Sequence, residues 1–502
     1  MSIALRAVVA MGAGIVLVAG PAPAGTAADR PNVVVILADD LGAEDLGPFG
    51  NAGVRTPHLD RLAARGMCFD RAFVTASSCS PSRASLLTGR YPHATGAEEL
   101  HWPLPAAQAT FVERLRDAGY WTAAAGKWHL GAAAKARFDL VREANPAGFT
   151  LAEGKATLDA GGTGAFAAGC DQWVPVLRER PRDRPFFLWL AALDPHRDYR
   201  ADAIPRPHRP EDVTVPPELP DTPDVRRDLA LYYDEIARLD GFVGAVVAEL
   251  GRQGVADSTL ILFLSDNGRP FPRAKTTLYD TGVRTPLIAC WPGHVPAGTR
   301  SGSLVSTVDL GPTILELAGA GPLPTAQGLS AARVLTDPTA RVRERAFSER
   351  NWHDYAAHGR SVRTERHRYI RNDDAALSLN PPADAVRSPT FREMRRLRDA
   401  GRLAPEQRDV FATPRPAEEL YDLQADPHER TNLAAVPAHA ATLVALRAAL
   451  ADWSRETADP PPPERLTPDE FDRETGQALP GRARRPRMPP PETASPAGPR
   501  AG

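Results

Sequence analysis

Val33-Val34-Val35-Ile36-Leu37-Ala38-Asp39-Asp40 is the stretch on which the fold turns. Its opening apolar run has no polar side to offer water, as a strand buried on both faces requires. The same texture returns in Phe186-Phe187-Leu188-Trp189-Leu190 and in Leu260-Ile261-Leu262-Phe263-Leu264. Helical patterns fall around and between them, at 57–65, 110–118 and 228–252. That alternation predicts a doubly wound α/β domain over residues 28–340, built on a large, mostly parallel central sheet. From about Arg341 the runs shorten, with strand candidates in 358–372 and a helix over 437–457. Residues 341–458 are therefore expected to form a smaller α+β subdomain.

The ends of the chain read differently. Arg6, the apolar run Ala7 to Gly20 and the small residues at 22–27 form a Sec-type export signal over residues 1–27. An uncleaved anchor is the alternative reading. No twin arginine or lipidated cysteine accompanies it, and no later stretch is apolar enough to span a bilayer. The mature chain is expected to be periplasmic or secreted, with no stable membrane insertion. From Asp459 onward, proline runs and the arginines at 482, 484, 485 and 487 predict a disordered tail over 459–502.

Composition narrows the function classes. The chain has 502 residues and a net charge of −2, which argues against nucleic acid or anionic lipid as a main partner. With 43% hydrophobic residues it can bury a large core. Four cysteines (Cys68, Cys79, Cys170 and Cys290) are too few and too scattered for a disulfide framework, and none has metal-ligand spacing.

Ligands of open α/β sheets sit beyond the carboxyl ends of the strands. The three apolar runs lead there into Asp39-Asp40, Asp194-Pro195-His196 and Asp266-Asn267. One such cluster is an ordinary turn or cap, but three on parallel strands converge on one place. Asp39, Asp40, Asp266 and Asn267 offer only oxygen donors, which suits Ca²⁺ or Mg²⁺ rather than zinc; export favours Ca²⁺. Nearby, Ser80-Pro81 reads as a helix cap and first helical residue, with Gly89 as the stop. Cys79 then stands at a helix N-terminus, with Arg83 on the same face. As a bare thiol it is an activated nucleophile or a buried structural cysteine.

The run Cys79-Ser80-Pro81-Ser82-Arg83, continuing to Leu87-Thr88-Gly89, resembles the signature of the type I sulfatases. Further blocks stand in that family's order: 32–40, Gly126-Lys127-Trp128-His129, Asp194-Pro195-His196, Ser265-Asp266-Asn267-Gly268, Lys275, and Glu419-Leu420-Tyr421-Asp422. The resemblance implies an alkaline-phosphatase-like sandwich. It also implies a formylglycine made from Cys79 by a formylglycine-generating enzyme, and a metal at Asp39, Asp40, Cys79, Asp266 and Asn267. Arg83, Lys127 and Lys275 would hold the sulfate oxygens. His129, expected to face the same way as Lys127 two residues earlier, would contact the aldehyde hydrate, and His196 would protonate the leaving atom.

Within the family, Asp194-Pro195-His196-Arg197, Pro270-Phe271-Pro272, Ser388-Pro389-Thr390-Phe391 and Trp453-x-x-Glu456-Thr457 resemble the heparan N-sulfatase branch. A sulfated glycan would then be the substrate, with Arg197 meeting a neighbouring anionic group. Lys275 departs from that branch, where arginine is usual, and keeps an O-sulfatase in view. A phosphodiesterase or phosphonate monoester hydrolase of the same superfold, and a non-catalytic glycan-binding relative, are the competing readings.

Overall fold

The computed structural model describes residues 30–144 and 168–481. The export segment at 1–27 and the arginine cluster from 482 onward lie outside the described residues. Asn32–Ala38 (β1) is the central strand. It pairs in parallel with Phe186–Ala191 (β5) on one side and Thr259–Ser265 (β6) on the other. Trp121–Gly126 (β3) extends the sheet beyond β5, again in parallel. With Met67–Phe73 (β2), Leu140–Glu143 (β4), Leu287–Cys290 (β7) and Thr299–Ser306 (β8), the order is β4-β3-β5-β1-β6-β7-β2-β8. Among these, β7 runs against both its neighbours, so the sheet is mostly parallel, as expected.

Strand alternation divides the core into two layers. Val34, Ile36, Leu188 and Phe263 pack against the helices Pro57–Arg65, Pro223–Arg252 and Pro389–Asp399. Val33, Val35, Trp189 and Leu262 pack against Cys79–Thr88, Phe111–Asp117 and Leu310–Leu317. A central strand with side chains buried on both faces leaves its carboxyl end as the place where polar groups gather.

The second sheet is antiparallel, with Ala346–Arg350 (β9), Gly359–Arg363 (β10), His367–Asn372 (β11) and Glu418–Asp422 (β12) in the order β12-β11-β10-β9. Helix Ala440–Thr457 covers it through Leu443, Leu446, Leu450 and Trp453. Between β11 and β12 the chain returns to the large domain, where Phe391 and Met394 enter its core. The C-terminal half is thus interleaved with the half built on the large sheet.

Over residues 459–481, the part of the expected disordered tail that lies within the described residues, the structure corrects the expectation. Arg360 grips Asp459 with two hydrogen bonds of 2.9 and 2.8 Å. Trp352 Nε1 donates to the Pro468 carbonyl at 3.0 Å, and Phe471 is buried. The prolines here shape an extended strap, and its aspartates and one aromatic residue give it partners in the body.

At the base of this strap His93 Nδ1 lies 2.7 Å from Glu349 Oε1 and 3.6 Å from Asp459 Oδ1. Arg360 supplies a second cation to the same two carboxylates. Burial opposes charge on Glu349, but His93 and Arg360 outweigh it and hold its carboxyl at about 2. Burial likewise opposes charge on His93, and Glu349 outweighs it, raising the imidazole above its ordinary 6.5. A raised folded-state value contributes stability below the unfolded value and loses it as pH rises through the folded one. The stability advantage of wild type over His93→Gln is therefore expected to be full below pH 6.5 and to shrink at higher pH. Urea unfolding across a pH series measures it, and a pH-independent difference would contradict the assignment.

Candidate active site

Register carries the site residues to one edge. Ala38 pairs with Ser265 and Gly126 with Ala191, so each strand's next residues emerge side by side. The ladder continues through Asp39 N to the Asp194 carbonyl at 2.9 Å, Asp266 N to Ala38 at 3.2 Å and Lys127 N to Ala191 at 2.9 Å. Gly126 has φ +100°, and a Cβ there would lie 1.8 Å from the Ala191 carbonyl oxygen, so only glycine lets the chain turn and present Lys127. Asp40 and His129 also hold left-handed φ values of 69° and 57°. Side chains with such backbone strain cluster where geometry serves function.

Helix Cys79–Thr88 enters from the opposite layer. Ser78, not Ser80, occupies the cap position, so the helix begins two residues earlier than expected. Pro81 is accommodated because first-turn N–H groups have no partner within the helix. The first helical bond is Ser82 N to the Ser78 carbonyl at 3.0 Å. Ser80 Oγ instead receives His101 N at 2.8 Å, and Ser78 Oγ bonds His353 Nδ1 at 2.8 Å. Gly89 ends the helix with φ +64°, as expected.

Cys79 is buried at the hub. Its Sγ lies 3.4 Å from Asp39 Oδ1 and 3.7 Å from Asp40 Oδ1. Ligand atoms of Asp39, Asp40, Cys79 and Asp266 all fall within 4.8 Å of one another. Burial, then Asp39, pushes the thiol well above its ordinary value, and Lys127 and Lys275 only partly oppose that.

Charge is matched pair by pair. Arg83 Nε meets Asp266 Oδ2 at 2.8 Å while its Nη1 donates to the Lys127 carbonyl at 2.9 Å. Lys127 Nζ bonds Asp39, and Lys275 Nζ lies 2.6 and 2.8 Å from the two Asp40 oxygens. Among the described residues Arg83 Nη2 has no hydrogen-bond acceptor, and it lies 3.9 Å from Asp39 Oδ1. Asn267 Nδ2 donates to Asp40 Oδ1 at 2.7 Å, while its buried Oδ1 has no hydrogen-bond partner among the described residues. Burial and then Asp39 raise Asp266 above its ordinary value despite Arg83. An orphaned amide oxygen among carboxylates, one of them strained upward, is what a hard divalent cation satisfies. The donor set fits such an ion.

Three histidines surround this core. His129 Nε2 is 2.7 Å from His101 Nδ1. Burial, then His101 and Lys127, holds His129 well below its ordinary value. It reaches the site through a left-handed turn, not along the extended chain that the expected two-residue spacing assumed. His196 Nε2 lies 3.7 Å from Asp40 and 3.8 Å from Asp384.

Arg197 corrects an expectation. Its fork closes on Asp228 with two bonds of 2.8 Å, and its guanidinium stacks over Phe271 and Tyr199. It braces the turn and is not presented to a glycan. Asp194 is likewise structural, gripped by Arg238 at 2.8 and 2.7 Å. His101, His353 and Asp384 were not foreseen, because none lies in a motif or at the end of a buried strand; only the polar knot Asn351-Trp352-His353-Asp354 offered a signal.

Oxygen donors for a cation, cations for a tetrahedral anion and a cysteine at the junction define a sulfuric ester hydrolase on this fold. The chain belongs to the sulfatase family, whose model matches residues 31–320. A second model, described as N-sulphoglucosamine sulphohydrolase, C-terminal, matches residues 273–378. The chain is 34% identical over 475 residues to N-sulphoglucosamine sulphohydrolase of Homo sapiens, covering 86% of this chain and 91% of that protein. It is 30% identical over 480 residues to an ulvan-active sulfatase of Formosa agariphila, covering 85% and 75%. Two solved structures share the fold. One holds its substrate D-glucosamine-2-N,6-O-disulfate (TM-score 0.64, 20% identity, 87% of this chain and 100% of that one). The other is a phosphonate monoester hydrolase of Agrobacterium radiobacter (TM-score 0.63, 21% identity, 85% and 96%).

Asp40→Asn removes an anionic donor and weakens the hold on Lys275. The rise in melting temperature that a divalent cation gives wild type, worth about 2.7 kcal/mol at a hundredfold excess over Kd, is expected to disappear in this variant. Scanning calorimetry with and without the ion measures it; an undiminished rise would remove Asp40 from the ligand set.

Proposed function

We propose that this sulfatase releases sulfate from the nitrogen of a terminal N-sulfoglucosamine in heparan-type fragments, using a formylglycine made from Cys79 and a bound Ca²⁺. The observation that carries the mechanism is Cys79 at a helix start, in reach of two carboxylates, with Arg83, Lys127 and Lys275 around it. The similarity of residues 273–378 to the C-terminal model of N-sulphoglucosamine sulphohydrolase supports the substrate, as does the human relative bearing that name. Export by the N-terminal signal and maturation by a formylglycine-generating enzyme belong to the same proposal.

The hydrated aldehyde supplies an oxygen nucleophile with a second hydroxyl through which sulfate is later expelled, and the cation adds positive charge beside it. The chain's residues do the rest. Arg83 Nη2, which has no hydrogen-bond acceptor of its own, and the two lysines neutralise the sulfate oxygens. His129, held neutral, accepts a proton from a neighbouring hydroxyl. His196 delivers one to the departing nitrogen. Three carboxylates balance three cations, so a divalent ion leaves the pocket net positive, as an anionic sulfate group requires.

Lys275 favours one second reading, an O-sulfatase acting on an amino sugar such as glucosamine 6-sulfate. Free sulfate released from N-sulfoglucosamine but not from glucosamine 6-sulfate is the expected result; the reverse overturns the N-linkage. A phosphonate or phosphate monoester turned over faster than either sulfate would overturn the sulfatase chemistry in favour of the phosphonate hydrolases that share the fold. Mass spectrometry of the peptide containing Cys79 should find sulfur and two hydrogens exchanged for one oxygen. An unmodified cysteine in active enzyme would sink the mechanism. Cys79→Ala is expected to fold with an unchanged melting temperature and to release no sulfate, because the side chain adds little to the core. Chelation should abolish turnover, and Ca²⁺ should restore it better than Mg²⁺.

A further inference from the structure

Asp384 is a buried carboxylate from the C-terminal half that belongs neither to the proposed metal set nor to the sulfate-binding cations. It lies in the single turn Ala383–Val386. Its Oδ1 accepts Ala385 N at 2.7 Å, which fixes the carboxylate in place, and its Oδ2 points to His196 Nε2 at 3.8 Å. The turn is braced on both sides. Ala383 N donates to Asp354 Oδ2 at 2.8 Å, and Thr390 Oγ1 donates at 2.6 Å to Asp228, the partner of Arg197.

The other edge of His196 is equally constrained. Its Nδ1 is 2.5 Å from the Arg197 carbonyl oxygen. A carbonyl only accepts, so Nδ1 carries the hydrogen, and the ring has one orientation. Nε2 then lies between Asp40 and Asp384. Asp40 already answers to Lys275 and Asn267. Asp384 is the carboxylate that remains for the histidine, and burial does not discharge it: His196, Lys275 and Arg197 outweigh that cost and hold its carboxyl at about 2.

We propose that Asp384 is a positioning residue that acts through His196, keeping its Nε2 hydrogen aimed at the leaving atom of the substrate. The inference rests on the sulfatase reading with His196 as proton donor. In the step it serves, an oxygen of the matured Cys79 side chain would bond to sulfur while the bond from sulfur to the leaving nitrogen breaks and its electron pair passes to nitrogen. The proton from Nε2 goes to that nitrogen, and the imidazole is left neutral with its hydrogen on Nδ1 against Arg197. The proton lost by the attacking hydroxyl passes to solvent, which recharges Nε2.

A group that aids protonation matters for a poor leaving group and little for one that departs unprotonated. The matured enzyme and its Asp384→Asn variant are therefore compared on N-sulfoglucosamine, whose amine needs a proton, and on 4-nitrophenyl sulfate, whose phenolate does not. The ratio of kcat/KM for the first over the second is expected to fall about tenfold or more, through kcat, with partial recovery in Asp384→Glu. In a His196→Ala background, Asp384→Asn should produce no further fall in the ratio. Asp384→Ser carries the same comparison if the asparagine variant does not fold. An equal loss on both substrates, or a further fall without His196, would make Asp384 a structural residue and overturn the proposal. Wild-type enzyme that hydrolyses the aryl ester and glucosamine 6-sulfate but not N-sulfoglucosamine refutes the substrate reading alone. The 6-sulfate then takes the amine's place in the ratio, since its alkoxide also needs a proton. Wild type inactive on all three refutes both.

Discussion

Three carboxylates buried at the ends of two neighbouring parallel strands are the constraint from which the rest follows. Asp39, Asp40 and Asp266 are almost wholly excluded from solvent, and isolated buried charges of one sign would unfold the edge of the sheet. Each is therefore given a cation from a different element: Lys127 from the end of β3, Lys275 from the loop after β6, and Arg83 from the helix on the opposite layer. The pairing ties both layers of the sandwich to one point. Cys79 is buried among them, and burial pushes its thiol up although Lys127 and Lys275 oppose the shift.

What the sequence could disclose was whatever depended on local chemistry. A strand buried on both faces must be continuously apolar, so β1, β5 and β6 were legible, and with them the edge where Asp39, Asp40, Asp266 and His196 meet. The motif around Cys79 was legible because it is contiguous. Its capping was not, since Ser78 and Ser80 are equivalent by composition, and the choice is made by His353 and His101, which arrive from 275 and 21 residues away. Arg197 misled for a similar reason. Its neighbour in sequence, His196, faces the carboxylate centre, but its partner Asp228 sits on a helix 31 residues later, and burial under Phe271 makes the pair structural.

Composition misled at the strap beyond Asp459. Proline-rich sequence predicts a lack of core, yet extension alone is not disorder, and one bidentate arginine with one buried aromatic suffices to hold a segment already stiffened by proline. The strap reports on the interleaving of the two halves. Arg360 on β10, Glu349 on β9 and His93 after the Cys79 helix meet at Asp459, so the small sheet is clamped to the element that carries the nucleophile position.

That interleaving bears on specificity. The strand ends of the large sheet supply a centre able to bind any tetrahedral oxyanion beside a cation, and the phosphonate hydrolase that shares the fold illustrates how little the fold alone selects. Discrimination must come from groups that meet the rest of the substrate. In this chain two buried residues packed against the centre, His353 beside Ser78 and Asp384 near His196, belong to the C-terminal half. Lys275 belongs to the centre, and as a compact ammonium between the two oxygens of Asp40 it contributes charge without the fork geometry of an arginine. A sulfate oxygen approaching it would find attraction but little directional preference, and in the proposed mechanism orientation of the leaving atom falls to His196, whose Nδ1 is fixed on the Arg197 carbonyl and whose Nε2 lies 3.8 Å from Asp384. Selectivity for the linkage that breaks is then a property of how that histidine is braced, and the braces are Arg197 on one side and the Asp384 turn on the other.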